Sequence, residues 1–429
     1  MKILKKNTFT YLRFLLSLIL SITLFFSFSD TIANHKELDL ILIFIFFQFF
    51  VWSTFFTSNK KLSIISVNIF IIVLLNLILT PMFYRLDFDV PYRMPNEKKI
   101  VEYKQDYFKG MLNGKHTITT DEKGYRSNKK INYKKKTKNT LRVIAIGAST
   151  VEQYNTDDNK TWTNILVKNL SLNTEKEIEL INMGLSGLRA HHHYFSLIES
   201  KKYQPDLIVL LTGLNDWNHH IKSRNKFFLF PYFEIKYNFK KSLLYKIYTK
   251  VNHQITKVIK IVSSNPTEDK LTINLNNEEF LISFHKSESG KASKKKIETF
   301  YPKNVSQEYK FWMLQIFNEC KKNKSNCIFI DQPNAYKDNI SLKLKSRLWM
   351  SPPYEKFKLT IENLKKISTL YNNWLKNNVS KNNLNFCSVA KYFEPNTNDF
   401  YDDAHFSENG SKKLAKSLIN CLKTDSNFN

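Results

Sequence analysis

Ser149 lies in the run Gly147-Ala148-Ser149-Thr150, directly after an apolar stretch, so its hydroxyl would stand at a strand end with backbone N–H groups near an incoming acyl oxygen. A serine hydroxyl is a weak nucleophile alone. It needs a base, and the base needs an acid to hold its tautomer. Asp402 and His405, three residues apart in Asp402-Asp403-Ala404-His405, can supply both from one loop, with Asp403 as the alternative orienting carboxylate. Two donors for a developing oxyanion complete the set: the Gly187 N–H, at the end of Asn182-Met183-Gly184-Leu185-Ser186-Gly187, and the Asn215 amide in Gly213-Leu214-Asn215-Asp216. The chemistry this constellation suits is attack on an ester carbonyl through a covalent acyl intermediate. The bland alternatives are a helix N-cap for Ser149, a plain turn for Asn215-Asp216 and a solvated loop for Asp402 and His405.

These residues can meet only if the elements between them form one sheet. Short apolar runs predict strands at Leu141 to Ile146, Ile178 to Met183, Asp206 to Leu211, Asn326 to Asp331 and Leu384 to Val389. Helical spacing lies between or after them at Lys160 to Asn173, Leu188 to Lys202, Gln307 to Lys322, Lys356 to Asn378 and Ser411 to Lys423. Alternating strands and helices predict an α/β fold with a parallel sheet covered on both faces. Only 9 glycines occur in 429 residues, well under the usual ~7%, yet Gly147, Gly184, Gly187, Gly213 and Gly410 all fall at the polar blocks. The stretch from about 222 to 303 breaks the alternation and reads as an insertion: an aromatic cluster (Phe227, Phe228, Phe230, Tyr232, Phe233), a helix, then a hairpin near Leu271 to Phe284. Its position at the carboxyl end of a strand suits a lid or a substrate-shaping role, with packing or membrane contact as the alternatives.

At these residues the sequence resembles the SGNH, or GDSL-type, hydrolase superfamily, whose blocks carry Ser, Gly, Asn and His in that chain order. The matches are Ser149 in GAST, Gly187 in NMGLSG, Asn215 in GLND and the Asp402/His405 pair in DDAH, spanning about Leu141 to Lys423 apart from the insertion. The resemblance implies a flavodoxin-like three-layer α/β/α fold, Ser149 as nucleophile, His405 as base and Asp402 as orienter. It also implies an oxyanion hole from the Ser149 N–H, the Gly187 N–H and the Asn215 side chain, with no cofactor. One departure is visible, since Ala148 stands where many members have Asp.

The first 84 residues differ from the rest. Three nearly charge-free stretches, about Phe14 to Ser29, Leu40 to Thr57 and Leu62 to Tyr84, approach or exceed the ~20 residues that cross a bilayer. The first is short enough to be read alternatively as a signal peptide. Lys2, Lys5, Lys6 and Arg13 before the first span, and Lys60 with Lys61 before the third, place the N-terminus in the cytoplasm and everything after Tyr84 outside. The expected organisation is three transmembrane helices over 1–84, a polar stalk with a small pre-domain around Gly124-Tyr125-Arg126 over 85–140, and the hydrolase-like domain over 141–429.

Composition narrows the partners. A net charge of +27 reads first as a compositional bias of the surface, then as attraction to an anionic membrane or cell-surface polymer; no zinc-finger or RNA-recognition pattern points to nucleic acid. Adjacent histidines at His191-His192-His193 and His219-His220 point in different directions on a helix, so no metal is expected. Four cysteines are too few for a disulfide scaffold, but Cys320 with Cys327 and, less strongly, Cys387 with Cys421 could pair outside the cytoplasm. The expected function is a membrane-anchored serine esterase acting on O-acyl, in particular O-acetyl, esters of cell-surface glycans. Two alternatives stay open: an O-acyltransferase using the same residues, and a non-catalytic surface-binding protein.

Overall fold

The computed structural model describes residues 93–224 and 271–424, apart from short gaps at 94, 104–105, 130, 134–135, 173, 274–276, 323–324 and 350–354. All of them belong to one of the two units into which the chain divides, Phe88–Phe227 together with Glu268–Asn429. In chain order the elements are β1 (Glu97–Tyr103), β2 (Gly114–Thr119), β3 (Thr140–Gly147), α1 (Ser149–Glu152), α2 (Trp162–Ser171), β4 (Glu177–Asn182), α3 (Ala190–Ser200), β5 (Leu207–Leu211) and α4 (Leu214–Ser223). After the undescribed segment come β6 (Leu271–Ile273), α5 (Asn277–Lys294), β7 (Lys296–Ile297), α6 (Gln307–Lys322), β8 (Asn326–Ile330), α7 (Leu342–Lys345), β9 (Phe357–Lys358), α8 (Ile361–Lys381), β10 (Asn385–Cys387) and α9 (Glu408–Thr424).

Five strands form the main sheet in the order β10-β8-β5-β3-β4, every neighbouring pair parallel. Taken from β4, that is the doubly wound order 2-1-3-4-5, which places the strand carboxyl ends and their loops along one edge. Alternate side chains of each strand go to opposite faces. Ile144, Ile146, Ile181, Ile208, Leu210 and Phe329 join one core with α3, α4, α6 and α8, whereas Val143, Ala145, Leu180, Val209, Leu211 and Ile328 join another with α2 and α9. Both faces of the sheet are therefore dry, which is why the central strand β5 is apolar throughout and charged residues such as Glu177 and Glu179 sit on the outer strand β4. Helix α8 shows the matching periodicity: Leu364, Ile367, Tyr371, Leu375 and Val379 are buried, and the Thr360 hydroxyl accepts the Asn363 N–H to cap the first turn.

All five expected strands are present, with ends shifted by no more than two residues. The expected stalk is corrected. From Glu97 the chain pairs β1 antiparallel to β2 and parallel to β6, and Val101, Tyr103, Phe108, Met111, Leu112 and Ile118 form a small core with Ile282 and Tyr401. Alternation of buried and less buried residues along Lys98-Lys99-Ile100-Val101-Glu102-Tyr103 was hidden by its charges, because Lys99 is itself buried, paired with Glu97 and bonded to the Tyr154 hydroxyl. The hairpin expected near Leu271 to Phe284 is also corrected, since among the described residues there Leu271–Ile273 is extended and Asn277 onward is helix α5. The three apolar N-terminal spans and the aromatic cluster at 227–233 lie outside the described residues. No helix among the described residues is long and apolar enough to cross a membrane.

Cys320 on α6 pairs with Cys327 on β8, and Cys387 on β10 pairs with Cys421 on α9. The second bridge closes a loop with a sequence separation of 34, and a loop of that length lowers the entropy of the unfolded chain by about 3–4 kcal/mol at room temperature. Replacing Cys387 and Cys421 together by serine is therefore expected to lower the unfolding free energy by that order. Urea unfolding measures it, and an unchanged midpoint would show that the bridge does not constrain the unfolded chain.

Candidate active site

The site lies where β3, β4 and β5 end side by side. Ala145 pairs with Asn182 and Gly147 with Leu211, so the loops that leave the three strands start from one edge. After β3 the chain turns at once into the one-turn helix α1, whose Val151 and Glu152 N–H groups both return to the Ala148 carbonyl. Side chains on either side of the turn fix it: the Thr150 hydroxyl donates to Gln332 Oε1 at 3.1 Å, and Gln153 Nε2 donates to the Ser411 hydroxyl at 2.6 Å. Ala148 is buried with Leu185, Leu188 and Phe195. A carboxylate at this position would enter an apolar cluster, which accounts for the departure noted in the sequence.

Asp402 and His405 reach the same edge from a loop tied down at both ends. Phe400 and Phe406 form an antiparallel bridge and are both buried, and Tyr401 N–H donates to the His405 carbonyl at 3.0 Å. Inside the loop, Asp402 Oδ1 accepts the Ala404 and His405 N–H groups at 3.0 and 2.9 Å. His405 Nδ1 lies 2.8 Å from Asp402 Oδ2 and 2.9 Å from Oδ1, and His405 Nε2 lies 2.8 Å from Ser149 Oγ. Ser149, His405 and Asp402 thus form a continuous hydrogen-bonded array across a sequence separation of more than 250 residues. With Nδ1–H donating to the carboxylate, Nε2 is left as the acceptor for the serine proton.

Electrostatics favour that arrangement. Burial alone would push Asp402 up, but His405, the hydrogen bond from it, the nearby His285 and the backbone N–H outweigh this and hold the carboxyl below its ordinary range. Burial pulls the His405 imidazole down, and the charge and hydrogen bond of Asp402, with Asp403 and Glu152 further off, raise it above its ordinary 6.5. Asp403 is occupied elsewhere: it accepts the Tyr336 hydroxyl at 2.9 Å and the Trp349 N–H at 2.6 Å. The alternative orienter is thereby excluded, and Asp403 braces the loop from beneath.

The expected oxyanion donors occupy the two neighbouring loops. Gly187 has φ of +85°, a conformation that L side chains rarely adopt, and no described hydrogen bond uses its N–H. Asn215, in the first turn of α4, donates one amide hydrogen to the Leu188 carbonyl at 2.9 Å, so the loop that carries Gly187 and the loop that carries Asn215 are bonded to each other. The second amide hydrogen of Asn215 is a further donor.

Three residues of this region have roles that the sequence did not assign. His285 on α5 is 2% exposed, and its Nε2 lies 3.7 Å from Asp402 Oδ2; burial pushes its imidazole down to about 4, so it is neutral near pH 7. A lone histidine in an irregular insertion gave no signal. Asp216 accepts the Ala190 N–H at 3.0 Å, and burial pushes its carboxyl up to about 6. Arg126, in the motif Gly124-Tyr125-Arg126, is buried beside the turn that carries Ser149, where it donates to the carbonyls of Glu152, Gln153 and Thr156 and pairs with Asp158. On α3 the His191 and His192 rings lie against each other, 3.7 Å between centroids, while His193 is buried, and His220 bonds the Tyr371 hydroxyl at 3.0 Å. Among the described residues, no group of three or more His, Cys, Asp or Glu side chains is placed to hold a metal ion.

A parallel α/β sheet whose carboxyl edge carries this array is suited to acyl chemistry, and the family to which the chain belongs makes it a hydrolase acting on esters. The sequence model of the GDSL-like lipase/acylhydrolase family matches residues 143–418, and the chain belongs to that family. Solved structures with a similar course include a GDSL-like lipase from Bacteroides thetaiotaomicron VPI-5482, at 13% identity and TM-score 0.34, covering 68% of this chain and 91% of that one. A member of the lipolytic protein G-D-S-L family from Veillonella parvula DSM 2008 follows at 10% identity and TM-score 0.33, covering 65% and 97%. An acetyl xylan esterase from Geobacillus stearothermophilus gives 13% identity and TM-score 0.32, covering 66% and 94%. Likeness at that level carries no information on substrate. No curated protein matches the chain.

Proposed function

We propose that the chain is a membrane-anchored serine esterase that removes O-acyl groups, acetyl in particular, from cell-surface glycans through an acyl-enzyme on Ser149. The observation that carries the serine mechanism is the 2.8 Å contact between His405 Nε2 and Ser149 Oγ, with Asp402 on the other ring nitrogen. In the first half-reaction Ser149 Oγ attacks the ester carbonyl as His405 takes its proton. The imidazolium then returns that proton to the departing alcohol oxygen. Water repeats the sequence, with its proton passing to His405 and on to Ser149 Oγ when the acid leaves. The N–H groups of Ser149 and Gly187 and the Asn215 amide receive the negative oxygen in each half. The outside location, where surface glycans lie within reach, is supported by the apolar spans with flanking lysines before residue 85, and the ester bond by the family's chemistry.

The experiment compares surface-glycan acylation in cells that carry the wild type and in cells that carry Ser149→Ala. More acyl in the variant supports the deacylase, less acyl identifies a transferase with a sugar hydroxyl as second nucleophile, and no difference removes the glycan as substrate. At the level of the purified enzyme, Asn215→Ala is expected to lower kcat for a small ester about 10²–10³-fold, the usual effect of removing one oxyanion donor. Steady-state kinetics would take Asn215 out of the site if the rate were unchanged.

A further inference from the structure

We propose that Glu152 is a positioning residue for the oxyanion hole: its carboxylate, clamped by Arg93, fixes the loop bearing the Gly187 N–H against the turn bearing Ser149. The proposal rests on the reading of Ser149 as nucleophile and Gly187 as oxyanion donor. Glu152 ends α1, three residues after Ser149, and is 1% exposed. A single oxygen, Oε2, accepts both the Ser186 N–H at 2.7 Å and the Ser186 hydroxyl at 2.6 Å, while Oε1 accepts Arg93 Nε–H at 2.6 Å. These are charge-assisted bonds of full strength, and the carboxylate has a compensating cation, as burial of the charge requires.

The consequence for Gly187 follows from chain geometry. Binding the backbone N–H and the side-chain hydroxyl of Ser186 to one atom fixes that residue's orientation. Only one backbone torsion then separates it from the peptide plane that carries the Gly187 N–H. Packing makes the contact close as well as polar. A Cβ on Gly184 would lie 2.4 Å from Glu152 N, so the loop rests directly on the backbone of the nucleophile turn. The main chain of Glu152 is held too, with its N–H on the Ala148 carbonyl at 2.9 Å and its carbonyl accepting Arg126 Nη1–H at 2.6 Å. Arg93 is fixed in turn by lying over the Tyr154 ring, 4.2 Å from its centroid. Nucleophile and oxyanion donor are thus referred to a common carboxylate, and the segment ahead of β1 supplies its counter-ion.

An oxyanion donor misplaced by about 1 Å lowers a rate about 100-fold while leaving ground-state binding nearly intact. The test uses the full chain with a small aryl acetate and follows kcat, KM and thermal unfolding for Glu152→Ala, Glu152→Gln and Arg93→Met beside the wild type and Ser149→Ala. Glu152→Ala is expected to lower kcat about 100-fold with KM within about threefold. Glu152→Gln keeps an acceptor for Ser186 and should recover part of the loss, to about tenfold below the wild type, and Arg93→Met should show a smaller fall in kcat. If Glu152→Ala proves unfolded, Glu152→Gln decides alone: a kcat equal to that of the wild type, or a rise in KM with kcat unchanged, overturns the proposal. A wild type that hydrolyses nothing, or a Ser149→Ala variant as active as the wild type, would instead defeat the reading of the site itself and this proposal with it.

Discussion

Ser149→Ala is expected to hydrolyse a small ester about 10⁴–10⁶-fold more slowly than the wild type while unfolding at nearly the same temperature. The size follows from what the hydroxyl does. Without it no acyl-enzyme forms, and only water attacking a polarised carbonyl remains, helped by whatever binding and oxyanion donors survive. Stability should hardly move, because Ser149 is half-buried and its side chain bonds only His405 Nε2 among the described residues. The substitution removes one oxygen and makes no new contact. Steady-state kinetics and a melting curve on the same sample check both halves. A variant within tenfold of the wild type would remove Ser149 from the chemistry.

Asp402→Asn should come next in effect, with kcat lowered about 10⁴-fold. Asn keeps the shape and one acceptor oxygen but can present its amide hydrogens to Nδ1, which turns the imidazole to the tautomer with Nε2 protonated and unable to accept the serine proton. The pH profile carries a second signature. His405 works as a base only when neutral, so kcat/KM must fall as pH drops through its pKa, which the Asp402 charge raises above 6.5. The acid limb of the wild type is therefore expected above pH 6.5. In Asp402→Asn the largest raising influence is gone, and the limb of the residual activity should move to lower pH. Linkage to stability has the matching sign. A folded pKa above the unfolded one contributes stability that is complete below about pH 6.5 and lost as pH rises through the folded value. A limb that stayed in place in Asp402→Asn would mean that the carboxylate does not set the titration of His405.

Much of this was legible because the sheet is parallel and doubly covered. Such strands are short apolar runs, and the polar residues that end them stand out: Gly147 to Ser149 after Ile146, Gly184 to Gly187 after Asn182, Gly213 to Asn215 after Leu211. Sparse glycine sharpened the signal, since Gly187 is kept for its positive φ and Gly184 for the backbone of Glu152 against it. What was not legible is tertiary. Glu152 and Arg93 are 59 residues apart, and nothing local marks either as buried. Lys99 fell in the expected stalk and Arg126 in the expected pre-domain, with nothing local to mark either as buried, yet each buries its charge against a specific partner, Glu97 and Asp158 respectively. Even the choice between Asp402 and Asp403 needed the loop in three dimensions, where Tyr336 and Trp349 occupy the second carboxylate.

The most direct measurement is covalent. Incubation of the full-length protein with a fluorophosphonate, followed by peptide mapping, should place one adduct on the Ser149 hydroxyl, and His405→Ala should abolish it. An adduct on another residue, or an unlabelled Ser149 in folded protein, would contradict the assignment of this hydroxyl as the nucleophile.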